Sequence, residues 1–146
     1  MFNIGLSLSL KGKIMSEQKE NKSDRSTLLL VDDEEGFVNV IANRMGKRGI
    51  DTTKALSGTE AIQELRRNDF DVAVLDLKME DMDGIEVLKI FKKMAPEMPV
   101  IMLTGHGSER AAMEGIAHGA FDYLTKPCDL EDLVEKIREA VSQGRK

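Results

Sequence analysis

The feature that most constrains the fold is a strict alternation, from Ser26 onward, of short apolar runs with stretches of helical spacing. Five apolar runs predict strands at Thr27–Val31, Thr52–Ala55, Val72–Leu75, Val100–Leu103 and Phe121–Leu124. Between and after them, apolar residues recur every three or four positions, which is typical of amphipathic helices. Strands that alternate regularly with helices predict one parallel sheet covered by helices on both faces.

Length and charge restrict the class of protein. The chain has 146 residues and a net charge of -5, enough for one domain and opposite in sign to a nonspecific nucleic-acid binder. Its one cysteine, Cys128, excludes an internal disulfide framework and fits a reducing compartment. No apolar run approaches the roughly 20 residues of a membrane span. We therefore expect a cytoplasmic domain that contacts neither nucleic acid nor a membrane directly.

The first 25 residues differ in character from the rest of the chain. A mildly apolar decapeptide is followed by a polar, charged stretch, and lysines follow the apolar part instead of preceding it as in a secretory signal. We interpret residues 1–25 as a disordered leader, a cloning remnant or an over-extended start, with Met15 as a natural first residue. The folded domain is expected over residues 26–142, and residues 143–146 form a C-terminal tail.

Polar residues directly follow the carboxyl ends of four of the five predicted strands. Asp32 and Asp33 follow the first strand, Asp76 the third, Thr104 the fourth and Lys126 the fifth. The carboxyl ends of parallel strands meet at one edge of the sheet, which is where such sheets bind ligands. We therefore expect acids, a hydroxyl and a cation to converge there from distant parts of the chain.

The acids in this set favour a hard cation. Asp32 and Asp33 are followed by Glu34 and Glu35, and four carboxylates in a row repel one another. A helix N-terminus could offset part of that repulsion, and Mg²⁺, which prefers oxygen ligands, could offset more. Glu34 and Glu35 are expected in the first turn of a helix, with a role around the metal as the alternative. A carboxylate such as that of Asp76 can also act as a nucleophile toward phosphorus.

Four segments together carry a family resemblance: LLLVDDEEG, DVAVLDLKMEDMDG, PVIMLTGHG and GAFDYLTKPCDLEDL. In this order, each at a strand end, they resemble the receiver domain of bacterial two-component response regulators over roughly Ser26 to Ser142. The resemblance implies an α/β fold, namely a flavodoxin-like, doubly wound, five-stranded parallel sheet of order 2-1-3-4-5 with five helices.

The resemblance also implies the chemistry of the site. Asp76 corresponds to the phospho-acceptor, which takes a phosphoryl group from a sensor histidine kinase or a phosphotransfer protein. Asp33 corresponds to a direct Mg²⁺ ligand, with Asp32 beside it acting through water and the backbone carbonyl of Lys78 completing the protein ligands. Lys126 corresponds to the cation that pairs with Asp76 and then with the phosphate. Such a domain catalyses only its own phosphoryl transfer and dephosphorylation.

A switch and its partners follow from the same resemblance. Thr104 and Tyr123 correspond to the pair that responds to phosphorylation, and the Lys126–Pro127 bond is expected to be cis. The responding surface is expected on the fourth helix, fifth strand and fifth helix. It would control an output protein or a covalently linked effector domain, or form a phosphorylation-dependent homodimer.

The sequence departs from the usual family pattern after the acceptor. Glu80 stands where many receivers have proline, so we expect altered stiffness and charge in that loop. Lys78 and His106 occupy positions that, in the family, flank the phosphoryl group and tune its hydrolysis.

Other functions remain alternatives from the residues alone. A flavodoxin-like module would need a loop that attracts an anionic cofactor, and the acidic DDEEG segment repels one. A metal-dependent hydrolase built around Asp32 or Asp76 lacks a phosphate-binding loop or zinc motif. A phosphate-insensitive receiver would not need the complete set of acids, threonine and lysine. The domain could stand alone or belong to a longer regulator, as the TGHG segment, which resembles receivers of transcription activators with ATPase domains, indicates.

Overall fold

The computed structural model describes residues 25–105 and 107–144. The expectations for residues 1–24, His106 and the last two residues lie outside this part of the chain. Strands and helices alternate in the order β1 Ser26–Val31, α1 Glu35–Gly46, β2 Ile50–Ala55, α2 Gly58–Arg67, β3 Val72–Asp76, α3 Gly84–Met94, β4 Val100–Thr104, α4 Glu109–Ala117, β5 Asp122–Thr125 and α5 Leu130–Gly144.

The predicted strands all occur, and they differ from prediction only at their ends. β2 begins earlier than predicted, at Ile50, and β3 extends through Asp76. At the domain boundaries, Arg25 forms an ion pair with Asp51, and α5 continues to Gly144, so the start of the expected tail is helical. No helix in the described ranges is long and apolar enough to span a bilayer.

The five strands form one parallel sheet in the order β2-β1-β3-β4-β5, which is the order 2-1-3-4-5 that the resemblance implied. The chain first proceeds from β1 to β2 at one edge and then returns to β3 on the other side of β1. The direction of winding therefore reverses between β1 and β3, and ligands of such sheets bind at this point. Asp32 directly follows β1, and Asp76 is the last residue of β3.

Both faces of the sheet are buried, which explains why β1, β3 and β4 are continuous apolar runs without alternation. Leu28 and Leu30 of β1 pack in a cluster with α1 and α5. Leu29 and Val31 of β1 pack in a second cluster with residues of α2 and α3. Because the central strands are held from both sides, their carboxyl ends are fixed relative to one another.

Close packing also fixes the loop that leaves β3. Asp83 accepts a hydrogen bond from the backbone N–H of Ile85 (2.9 Å) and so caps α3. Gly84 lies so close to the end of β3 that a Cβ atom there would be 2.5 Å from Cα of Leu77. Only glycine permits this approach, which brings the start of α3 against the strand that carries Asp76.

Candidate functional site

The buried polar side chains mark the site before any chemistry is considered. Among the described residues, the buried polar or charged residues are Asp32, Asp76 and Thr104, with 0%, 6% and 2% of their surface exposed. They lie at the carboxyl ends of three adjacent strands, β1, β3 and β4. Burial of polar groups costs free energy unless they have partners. Because the three residues lie together at one edge of the sheet, that edge is the candidate functional site.

Three carboxylates converge at this edge. One oxygen each of Asp32, Asp33 and Asp76 lies within 4.8 Å of the others, and Asp33 is exposed to solvent. The backbone holds two of them in place: Asp32 Oδ1 accepts from the N–H of Glu34 (3.0 Å), and Asp76 Oδ1 accepts from the N–H of Lys78 (3.2 Å). An all-oxygen group of this size and charge fits Mg²⁺, which uses few protein ligands and keeps several waters.

The amine of Lys126 reaches the same cluster from the end of β5. Its Nζ lies 2.6 Å from Asp32 Oδ2, 2.8 Å from Glu34 Oε1 and 3.9 Å from Asp76 Oδ2. The ammonium also sits 4.6 Å from the centre of the Phe37 ring, a cation–π arrangement. Lys126 therefore faces the expected acceptor, but its shortest contacts are with Asp32 and Glu34.

The electrostatics of the cluster are dominated by burial and like charge. Burial raises the pKa of Asp76 to about 6, and the negative charges of Asp32 and Asp33 contribute in the same direction. The Lys78 N–H and the Lys126 ammonium lower that pKa in part. Burial lowers the pKa of Lys126, but its hydrogen bonds to Asp32 and Glu34 outweigh burial, so the pKa of Lys126 is raised. Near neutral pH, the ionised form of Asp76 therefore costs the folded protein free energy, and Lys126 carries a positive charge.

The expected switch pair lies on β4 and β5. Thr104, the last residue of β4, donates a hydrogen bond from Oγ1 to the backbone carbonyl of Leu124 (3.4 Å). Tyr123 of β5 is half-buried and packs against the core cluster that includes residues of α2 and α3. The two residues are therefore on paired strands, and the Thr104 hydroxyl is bonded to the residue after Tyr123. The Lys126–Pro127 peptide bond is cis, as the resemblance implied.

Glu34 belongs to the site in a way that the sequence did not indicate. It was expected in the first turn of a helix, with a role around the metal as the alternative; it lies at the N-cap position of α1, one residue before the helix begins, and its carboxylate accepts from Lys126 without making a capping hydrogen bond. The hydrogen bond to Lys126 lowers the pKa of Glu34. The two residues are 92 positions apart, so no local spacing could have indicated this pair.

Asp81 is a second residue that sequence reasoning missed. Its carboxylate accepts hydrogen bonds from the backbone N–H groups of Gly58 and Thr59 (both 3.0 Å) and from the Thr59 hydroxyl (3.1 Å). The bond from the Gly58 N–H is the main reason that the pKa of Asp81 is lowered. Asp81 thereby ties the loop after the acceptor to the N-terminus of α2, beside the exposed Glu80.

An open acidic cleft of about 370 Å³ adjoins the carboxylates. Asp33 and Glu34 form one side, and Ser57, Glu80 and Asp81 line much of the rest. The cleft gives solvent and small solutes a route to the exposed Asp33 carboxylate.

Comparison with known proteins identifies relatives of this arrangement. The model of the response regulator receiver domain family matches residues 28–138. The chain is 39% identical over 117 residues to the transcriptional regulatory protein GlrR of Escherichia coli, covering 80% of this chain and 26% of GlrR. It is 39% identical over 127 residues to the photosynthetic apparatus regulatory protein RegA of Rhodobacter capsulatus, covering 84% of this chain and 67% of RegA.

Solved structures extend the similarity to three dimensions. A receiver domain from Clostridium thermocellum superposes with a TM-score of 0.79 at 34% identity, covering 82% of this chain and 97% of that chain. The chain spans about a quarter of the length of GlrR but nearly all of the solved receiver domain. The similarity to the longer relatives is therefore confined to one part of them.

Proposed function

This chain belongs to the response regulator receiver domain family, and from that premise we propose that it is a phosphorylation-controlled switch with Asp76 as the acceptor. The observation that carries the proposal is the convergence of Asp32, Asp33, Asp76 and Lys126 from three separate strand ends. Family membership favours this function over a flavodoxin-like cofactor module. The acceptor, its cation and the acids around it are then parts of one phosphoryl-transfer site.

The proposed reaction moves a phosphoryl group from a phosphohistidine to the carboxylate of Asp76. A carboxylate oxygen of Asp76 attacks phosphorus, the bond from phosphorus to the histidine nitrogen breaks, and the histidine ring keeps the electron pair. Lys126, whose Nζ is 3.9 Å from Asp76 Oδ2, neutralises charge on the transferred group. Phosphoryl transfer depends mainly on such positioning and charge neutralisation. Hydrolysis of the acyl phosphate by water returns Asp76 to its original state.

We propose that the acidic cluster holds Mg²⁺. Asp33, Asp76 and the backbone carbonyl of Lys78 would be direct ligands, with Asp32 acting directly or through water. The fit rests on the donor set, which is entirely oxygen and carries several negative charges within a small volume. The metal, when bound, supplies positive charge for the phosphoryl oxygens and offsets the repulsion among the acids.

The proposed switch couples Asp76, at the end of β3, to Tyr123 on β5 through Thr104 of the strand between them, β4. A phosphoryl group adds nearly two negative charges and three acceptor oxygens, which would draw the Thr104 hydroxyl away from its present bond to Leu124. Tyr123 would then turn into the vacated space. Changing a 1:99 population to 99:1 requires about 5.5 kcal/mol of differential binding. Charge-assisted hydrogen bonds of about 1.5–3 kcal/mol each, from Thr104 and Lys126, supply that order of energy.

The proposed partners follow from this role. A sensor histidine kinase or phosphotransfer protein would donate the phosphoryl group in the cytoplasm, and an output protein or linked effector domain would respond. The relatives GlrR and RegA, both named as regulatory proteins, support an output of that kind. The responding surface would comprise α4, β5 and α5, which could also form a phosphorylation-dependent homodimer. We assign the domain no catalysis beyond its own phosphorylation and dephosphorylation, and no direct contact with nucleic acid or membrane.

Labelling by a small phosphodonor tests the proposal. The protein is incubated with Mg²⁺ and acetyl phosphate, and its intact mass is measured; we expect a single phosphoryl adduct. The adduct should be absent with EDTA and absent in Asp76→Asn, while Asp69→Asn, which changes an exposed carboxylate, should label normally. An adduct that persists in Asp76→Asn would mean that another residue is the acceptor. Many turnovers per protein without accumulation of the adduct would instead indicate a hydrolase.

A further inference from the structure

Lys126 occupies one of the two carboxylate oxygens through which Asp32 could contact a metal at the acidic cluster. Both carboxylate oxygens of Asp32 are engaged: Oδ1 accepts from the Glu34 N–H, and Oδ2 accepts from Lys126 at 2.6 Å. Asp32 is fully buried, so no bulk water is available to replace a lost partner. A divalent cation that approaches Asp32 on the Oδ2 side displaces the ammonium from that oxygen or shares the oxygen with it.

Glu34 provides a second acceptor for the same ammonium. Its Oε1 lies 2.8 Å from Lys126 Nζ, and its side chain is 65% exposed, so it can follow the ammonium with little loss of packing. The Glu34 backbone is fixed because its N–H is bonded to Asp32, and its carboxylate makes no capping bond to α1. The Phe37 ring, 4.6 Å from Nζ, borders the same position. Lys126 can therefore leave Asp32 without losing all its partners.

We propose that Glu34 is a positioning residue that retains the Lys126 ammonium when a divalent cation displaces it from Asp32, and from which Lys126 must separate to reach a phosphoryl group on Asp76. The inference rests on the proposed function, since it assumes that a metal binds at the cluster and that Asp76 is phosphorylated. It adds a role for a carboxylate that is neither the acceptor nor a member of the three-acid cluster.

The proposal predicts two effects of opposite sign for Glu34→Gln. Without the Glu34 charge, Lys126 binds Asp32 and Asp76 more firmly, so Mg²⁺ has a stronger competitor and binds less tightly. At saturating Mg²⁺, Lys126 no longer has to leave Glu34, so phosphorylation of Asp76 proceeds faster. General loss of structure would lower both quantities and cannot produce this pattern.

The experiment measures both quantities in matched variants. The Mg²⁺ dissociation constant is measured by calorimetry, and the initial rate of adduct formation from acetyl phosphate at saturating Mg²⁺ is measured by intact mass. For Glu34→Gln we expect Mg²⁺ binding weakened and labelling accelerated, each by about two- to fivefold, the range for partly exposed ion pairs. Glu35→Gln removes the same charge from the next residue, which is exposed and outside these contacts, and should have a smaller effect on both.

Repeating the measurements in a Lys126→Met background separates two effects of Glu34→Gln, namely loss of the contact with Lys126 and loss of one negative charge near the metal. There, Glu34→Gln and Glu35→Gln should change the Mg²⁺ dissociation constant to the same extent. An excess effect of Glu34→Gln that survives without Lys126, or equal effects of the two variants in the wild-type background, would overturn the proposal. Failure of the wild-type protein to form any adduct would instead refute the proposed function.

Discussion

Asp76 is a buried carboxylate beside two other carboxylates, and this single position explains much of the site. Burial and the charge of Asp32 raise its pKa to about 6, which makes the ionised side chain expensive in the folded protein. Positive charge placed nearby offsets that cost, whether it is the Lys126 ammonium or a bound cation. The residue that we propose as the acceptor is therefore also one whose negative charge costs the folded protein free energy.

This cost predicts the pH dependence of the Asp76→Asn variant without metal. Because the pKa of Asp76 is higher when folded (about 6) than its ordinary value of 3.8, the folded protein binds this proton more tightly than the unfolded chain does. The wild-type side chain therefore destabilises the fold above about pH 6, and this effect fades as the pH falls toward 3.8. At about 1.4 kcal/mol per unit of pKa, Asp76→Asn should gain up to about 3 kcal/mol at pH 7.5.

Urea denaturation in EDTA at pH 7.5 and at pH 4 measures this gain. The gain should be large at the higher pH and small at the lower, while Asp69→Asn should give no comparable gain at either. A gain of equal size at both pH values would mean that packing, not charge, causes the difference in unfolding free energy between the wild-type protein and Asp76→Asn.

At the scale of elements, the loop between β3 and α3 is held at three points. Gly84 packs against Leu77, Asp83 caps α3, and Asp81 binds the N-terminus of α2. The proline that many receivers carry in this loop is replaced here by the exposed Glu80, so stiffness has to come from these contacts. Whether Lys78 or His106 tunes hydrolysis of the phosphoryl group stays a prediction from the family.

We expect Asp81→Ala to destabilise the protein by about 1 kcal/mol, the usual effect of losing a side chain that caps a helix. The reason is that the N–H groups of Gly58 and Thr59 lose their acceptor. Urea denaturation provides the measurement. Glu80→Ala, a neighbouring exposed position, is the control and should stay within about 0.5 kcal/mol of wild type. Equal stability of Asp81→Ala and Glu80→Ala would show that the loop does not depend on this tie.

At the scale of the whole molecule, two of the four large apolar side chains that are exposed among the described residues lie on the surface expected to respond to phosphorylation; the other two are Val40 of α1 and Met94 of α3. Met113 and Ile116 of α4 are exposed at 62% and 37%. They lie on the helix that follows Thr104, the residue whose hydrogen bond we expect to change. Val40, exposed at 50%, lies on α1, a helix that is not part of this surface, and offers a comparison.

We predict that a phosphorylated homodimer, if formed through α4, β5 and α5, is weakened at least tenfold by Met113→Glu, since a charge would replace an apolar contact and remain unpaired. Sedimentation in Mg²⁺ and acetyl phosphate measures the association. Val40→Glu introduces the same charge on α1 and should leave the association unchanged. Equal weakening by both substitutions would place the interface elsewhere.

The sequence by itself determined the order of the strands and helices, because apolar periodicity is local and each central strand is buried on both faces. It also determined which polar residues come at or directly after the carboxyl ends of four strands, and the family resemblance added the sheet order and the expected roles. The partners of Lys126 were decided only by the tertiary structure. Its pairing with Glu34 joins residues that are 92 positions apart, and the tie from Asp81 to α2 joins segments more than 20 positions apart. Such contacts depend on which side chains meet once the sheet and helices have packed together, and no spacing along the chain encodes that geometry.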